Sequence, residues 1–147
     1  MVKFSQTYSK EVHELLAKQN PPLDPQLYGY EELPGWKLSV METIEHTLHW
    51  ARKATENQCS ALRKALDVMK GSGLVHGDLR APNVLIGGDN EVFIVDFEFS
   101  GKQGEVRLPY NIIAPEFKDV GAKGLGVITS ELDSDMAGLL LKNSWQR

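Results

Sequence analysis

His76-Gly77-Asp78-Leu79-Arg80-Ala81-Pro82-Asn83, followed at a distance by Asp96-Phe97-Glu98, is the stretch on which the reading of this chain turns. Between these polar loops lie two apolar runs, Val84-Leu85-Ile86 and Val92-Phe93-Ile94-Val95, separated by Gly87-Gly88-Asp89-Asn90. Short β-branched runs around a Gly/Asp/Asn turn predict a hairpin. A hairpin brings its two ends together, so Asp78 and Asn83 before it and Asp96 after it can converge on one point. Two carboxylates and an amide oxygen are hard ligands, suited to a Mg²⁺ that keeps several waters and binds a nucleotide's phosphates. Turn chemistry alone explains any one Asp, Asn or Gly in a loop, but not this ordered set around a hairpin.

Outward from that stretch, Thr55 to Lys70 has the clearest helical period, with Cys59, Leu62, Leu66 and Met69 on one stripe and Gly71 as the expected C-terminal cap. Leu74-Val75 reads as a brief strand leading into the His76 loop. The pattern is expected to be helical from Ile44 as well. Further upstream, Leu27 to Glu32 and Trp36 to Met41 flank Pro34-Gly35 and predict a second hairpin. Tyr8 to Gln19 places Tyr8, Val12, Leu15 and Leu16 on one helical face and stops before Pro21-Pro22. Val2 to Phe4 is a short apolar start. Beyond Ser100 the stretch from Gly101 to Gly126 shows no sustained period, and a short helix is expected from Ser130 to Lys142.

Composition is that of an ordinary globular domain: 147 residues, 41% hydrophobic, 24% charged, with a formal net charge of −4. The acidic balance argues against nucleic acid or an anionic membrane as partner. Cys59 is the single cysteine, so an intrachain disulfide and a thiolate zinc site are both excluded. The first residues lack an apolar signal-peptide core, and no apolar run approaches the roughly 20 residues needed to span a bilayer. A cytoplasmic or nuclear location is the expectation.

The loop, hairpin and second loop resemble the catalytic loop and metal loop of the protein-kinase-like superfamily. The resemblance implies an α+β fold. Residues 1–41 would form a partial small lobe of strands and a helix, joined by a hinge to residues 42–147, a shortened and mainly helical large lobe. It implies ATP and Mg²⁺ as cofactors and a hydroxyl acceptor, protein or small molecule, as partner. Asp78 resembles the base that accepts the acceptor's proton, and Asn83 and Asp96 resemble the metal ligands. Arg80 occupies the position of a cation that reaches the transferring phosphate. His76 resembles the loop's structural histidine.

Upstream, Lys3 resembles the strand lysine that contacts nucleotide phosphates, with Glu11 or Glu14 on the next helix as its partner. Helical geometry favours Glu11, which flanks the apolar stripe. Val40-Met41-Glu42-Thr43-Ile44 resembles a strand end and hinge, where backbone groups near Glu42 and Ile44 would bond adenine. Asp133 or Asp135 resembles the late-helix acid that braces the catalytic loop, and a solvated helix N-terminal acid explains either as well. Ala114-Pro115-Glu116 resembles the close of an activation segment.

Gly77 stands where many regulated protein kinases carry an Arg, and Glu98 stands where they carry Gly. Both features resemble the aminoglycoside- and choline-kinase branch and the fungal kinase-like domain proteins, the latter most closely. No Gly-rich phosphate-covering loop precedes Lys3, as expected of an N-terminally truncated member. Gly121 to Gly126 has the wrong glycine spacing for one and reads as a surface loop. Two functions follow: an ATP- and Mg²⁺-dependent phosphotransferase, or a non-catalytic pseudokinase or interaction module.

Overall fold

The computed structural model describes residues 1–45, 47–50, 54–87 and 91–145. Its architecture is mixed α+β, with small antiparallel sheets and four α-helices among the described residues.

The first sheet joins β1 (Val2–Ser5), β2 (Leu27–Leu33) and β3 (Trp36–Met41) in the order β1-β3-β2. The expected hairpin closes with Leu33 opposite Trp36, and Gly35 supplies the left-handed residue of the turn at φ +77°. In β1, Val2 faces Val40, Lys3 faces Ser39 and Phe4 faces Leu38. Because side chains alternate along a strand, the pleat that exposes Val2 and Phe4 turns Lys3 and the buried Ser5 to the other face.

Helix α1 (Lys10–Ala17) starts where Ser9 Oγ accepts the Val12 N–H at 3.3 Å. It buries Val12, His13, Leu16 and Ala17. Helix α2 (Glu56–Gly71) opens with a reciprocal capping box: Thr55 Oγ1 accepts Gln58 N–H at 3.1 Å and Gln58 Oε1 accepts Thr55 N–H at 2.9 Å. Cys59, Leu62, Ala65 and Met69 form its buried stripe, and Leu66 is only partly covered. The helix runs through Gly71, and the left-handed residue after it is Gly73 at φ +70°, not Gly71.

The helical expectation from Ile44 does not hold. Residues 42–45 are not helical, and β4 (Leu48–His49) pairs with β6 (Val84–Ile86), Leu48 opposite Ile86. The Trp50 N–H donates to the Val84 carbonyl at 2.7 Å, so this segment finds its backbone partners in a neighbouring strand. His46 and residues 51–53 lie outside the described residues. The central hairpin of β6 and β7 (Val92–Ile94) has Val84 opposite Ile94 and Ile86 opposite Val92. Its turn residues 88–90 are also outside the described set. Strand β5 (Leu74–Val75) pairs with β8 (Gly101–Lys102), an element the sequence did not announce.

Helix α3 (Pro115–Asp119) is short, and α4 (Ser130–Trp145) lies where a late helix is expected. The core gathers the α2 stripe with Leu74, Val75, Leu79, Val84, Ile94, Phe97, Ile128 and Met136. Leu62 is fully buried, and truncating such a side chain to Ala costs about 2–5 kcal/mol. Among the described residues no helix is long and apolar enough to cross a membrane.

Candidate active site

The loop after β5 is held from beneath by α4. Asp133, buried in the first turn of α4, accepts the His76 N–H at 2.7 Å and the Gly77 N–H at 2.9 Å, one on each carboxylate oxygen. Burial pushes the Asp133 carboxyl up, while the hydrogen bonds from the Gly77 and His76 amides pull it down. Asp135 is exposed, which leaves Asp133 as the acid that braces this loop. His76 ties the loop to the hairpin's far end. Its Nε2–H donates to the Val95 carbonyl at 3.0 Å, and its Nδ1 accepts the Asp78 N–H at 3.1 Å, so these two partners set the tautomer.

Gly77 is required by shape. Its φ is +88°, and an added Cβ would lie 2.9 Å from Phe99 Cβ and 2.9 Å from Ile128 Cδ1.

Asp78 is buried and closely held. Arg80 forks onto it, with Nε 2.5 Å from Oδ1 and Nη2 3.2 Å from Oδ2. Hydrogen bonding to Asp78 raises the Arg80 pKa above its ordinary value despite partial burial, with further help from Glu116 and Asp96. The guanidinium also sits 5.8 Å from the Phe117 ring centroid, over its face. Asn83 closes a short 3-10 helix, Ala81–Asn83, and its Nδ2 donates both to the Asp78 carbonyl at 2.9 Å and to Asp78 Oδ2 at 2.8 Å. With the amide nitrogen so engaged, Asn83 Oδ1 is the atom turned away from Asp78.

The hairpin then carries the chain to Asp96. The Val95 N–H donates to the Asn83 carbonyl at 2.9 Å, which places the entry and exit of the hairpin side by side. Asp96 adopts φ 67°, an uncommon conformation for a residue with a Cβ, costing about 1 kcal/mol or more. Its Oδ1 contacts Lys3 Nζ at 3.1 Å and accepts the Glu98 N–H at 3.4 Å. Phe97 is fully buried among Tyr8, His13 and His76, with ring centroids 5.9, 5.0 and 5.3 Å away.

Lys3 also contacts Glu98 Oε1 at 3.1 Å. Burial lowers the Lys3 pKa, but the charges and hydrogen bonds of Asp96 and Glu98 outweigh it and leave it raised. The geometry departs here from the expected pairing of Lys3 with Glu11. Glu11 is exposed and makes no ion pair with Lys3 among the described residues, while Glu14 pairs with Lys10 at 3.7 Å. In a helix that buries Val12, His13, Leu16 and Ala17, residue 11 falls at the margin turned toward solvent.

Met41 ends β3, and its carbonyl accepts from the Met1 ammonium at 2.7 Å. The Glu42 N–H donates to the Gln26 carbonyl at 2.9 Å, so that amide is already engaged. Ile44 follows outside any helix or strand.

The loop, hairpin and second loop fall inside one matched region: residues 9–103 fit the model of the phosphotransferase enzyme family, APH. The chain belongs to the phosphotransferase enzyme family. No curated protein matches it. Family membership places the chain in the protein-kinase-like and aminoglycoside phosphotransferase superfamily and indicates kinase-like phosphotransfer. Asp78, Arg80, Asn83, Asp96 and Glu98 lie within the matched residues, whereas Lys3 and Asp133 lie outside them.

Two features of this family member escaped the sequence. One is Glu98 as a contact of Lys3, for which no local pattern exists at that separation. The other is the layer beneath Phe97, where Tyr8 O–H donates to His13 Nδ1 and His13 Nε2–H donates to the Pro25 carbonyl at 2.7 Å. A histidine beside Val12, between Tyr8 and Leu16 on the buried helix face, was its only signal.

Proposed function

We propose that this chain transfers the terminal phosphate of ATP, with Mg²⁺, to a hydroxyl acceptor. The observation that supports it most is the Asp78–Asn83–Val95 hydrogen-bond chain, which ties the loop before the hairpin to the residue preceding Asp96. Asp78 is the base for the acceptor hydroxyl. Asn83 Oδ1 and Asp96 are the metal ligands, a donor set of hard oxygens that fits a cation retaining waters and phosphate oxygens. Bound there, the metal would neutralise phosphate charge.

Lys3 and Arg80 supply the remaining positive charge. Arg80 is shared: a phosphate beside it competes with Asp78 for the guanidinium, and its departure leaves an Asp78 oxygen for the acceptor's proton. Met41, Glu42 and Ile44 border the adenine side, through backbone groups other than the Glu42 N–H and the two Met41 groups, which are already engaged. Glu11 takes no part in phosphate binding in this reading. Residues 1–41 belong to the small lobe and 42–147 to the large lobe. The protein would work in the cytoplasm or nucleus, and kinship with fungal kinase-like domain proteins rests on Arg80-Ala81-Pro82-Asn83 and Asp96-Phe97-Glu98.

Thermal unfolding with and without ATP and Mg²⁺ tests this, comparing the native chain with Asp96→Asn. Ligand that binds only the folded state raises stability by about 2.7 kcal/mol at a hundred times its Kd. A rise in Tm that Asp96→Asn abolishes supports phosphotransfer. No rise at millimolar ATP and Mg²⁺ sinks it and leaves the non-catalytic module.

A further inference from the structure

Lys3 faces two carboxylates at equal distance, 3.1 Å to Asp96 and 3.1 Å to Glu98. In the phosphotransfer reading, on which the following rests, they have different tasks. A carboxylate that ligates a divalent cation has less negative charge left for a neighbouring ammonium. Glu98 has no metal to serve in that reading.

The backbone makes Glu98 a dependable anchor. Asp96 and Glu98 flank Phe97, whose buried ring holds both in place. Thr7 Oγ1 donates to the Glu98 carbonyl at 2.7 Å, and the Ser9 N–H donates to the Phe97 carbonyl at 3.0 Å. These two bonds tie the Glu98 loop to the chain that leaves β1, so Glu98 and Lys3 are held relative to one another from both sides. Helix α1 offers no competing acid, since Glu11 is exposed and Glu14 pairs with Lys10.

We propose that Glu98 is the positioning residue for Lys3, holding its ammonium over the phosphate site while Asp96 serves the metal. The ion pair therefore runs from β1 to the metal loop, and α1 does not enter it.

A double-mutant cycle on MgATP binding, followed by calorimetry, tests this with Lys3→Met, Glu98→Gln and the pair together. A carboxylate near a polyanion repels it, so Glu98→Gln acting alone would tighten binding. Acting through Lys3, it weakens binding instead, by about three- to tenfold for a pair with this exposure. On a Lys3→Met background it causes no further loss. Glu98→Asp recovers part of the loss, Glu11→Gln is without effect, and adenosine affinity stays the same throughout. Additive losses, unchanged or tighter MgATP binding in Glu98→Gln, or an equal loss in Glu11→Gln would each overturn the positioning role. A native chain that binds no MgATP fails at the earlier step, taking the phosphotransfer reading with it.

Discussion

The carboxylate of Asp133, in the first turn of α4, accepts the backbone N–H of Gly77 across 56 residues of sequence at 2.9 Å. Its other oxygen holds the His76 N–H, so one buried side chain satisfies two donors. Asp133→Ala leaves both without a partner, and we expect a loss of about 2–5 kcal/mol. Asp133→Asn also destabilises, because its Nδ2 would confront a donor. Urea unfolding measures both, and a change within about 0.5 kcal/mol of native would refute the bracing role.

Gly77 and Gly73 separate two reasons for glycine. Both have positive φ, but a Cβ at Gly73 meets nothing within 4 Å, whereas at Gly77 it strikes Phe99 and Ile128. Gly73→Ala is expected to cost about 1–2 kcal/mol from backbone conformation alone. Gly77→Ala adds overpacking of roughly 1–3 kcal/mol. Equal costs by chemical denaturation would show that the loop yields around the new methyl.

Arg80→Met removes both arms of the fork on Asp78 and leaves a mostly buried carboxylate with Asn83 as its side-chain partner. The expected cost at pH 7 is about 1–3 kcal/mol, discounted because the Arg80 side chain is 26% exposed. Arg80→Lys keeps the charge but not the fork and falls between the two. Should Arg80→Met prove as stable as native, the fork contributes nothing to folding.

Asp24 predicts a pH dependence. It is buried near His13, with Oδ1 at 3.3 Å from Nε2, and burial raises its pKa well above the usual carboxylate range. Stability from such a group is present below the unfolded carboxylate's pKa and lost as pH rises through the raised folded value. His13 runs the other way. Burial lowers its pKa, so its contribution is present above the unfolded imidazole's value and lost as pH falls through the folded one. Asp24→Asn removes the first effect and keeps the second. The Tm difference between Asp24→Asn and native should become more positive from acid to alkaline pH; a constant difference would mean that Asp24 does not titrate in the folded chain.

Much of the local structure was legible. The β2–β3 hairpin declared itself through two strand-like runs around Pro34-Gly35, the β6–β7 hairpin through β-branched runs around Gly, Asn and Asp, and α2 through its apolar stripe. The failures were of one kind. Residues after Ile44 carried apolar spacing compatible with a helix, but β6 offered a free strand edge and took Leu48 and His49 into a sheet. Gly71 looked like a cap because a glycine near a helix end usually is one, yet Gly73 held the left-handed conformation.

By itself the sequence determined the order of chemistry along the chain: Asp78, Asn83 and Asp96 around a hairpin, with Arg80 between. Those signals are local, since they depend on strand propensity, turn residues and spacing within a few positions. Tertiary structure decided which charges meet. Lys3 contacts Glu98 and not Glu11, and Asp133 rather than Asp135 holds the loop, because such pairings depend on how separate elements pack, and helix periodicity says only which face a residue shares. Gly77 shows the same division at one position: its type was plain in the sequence, but the need for it came from Phe99 and Ile128, brought against it by the fold.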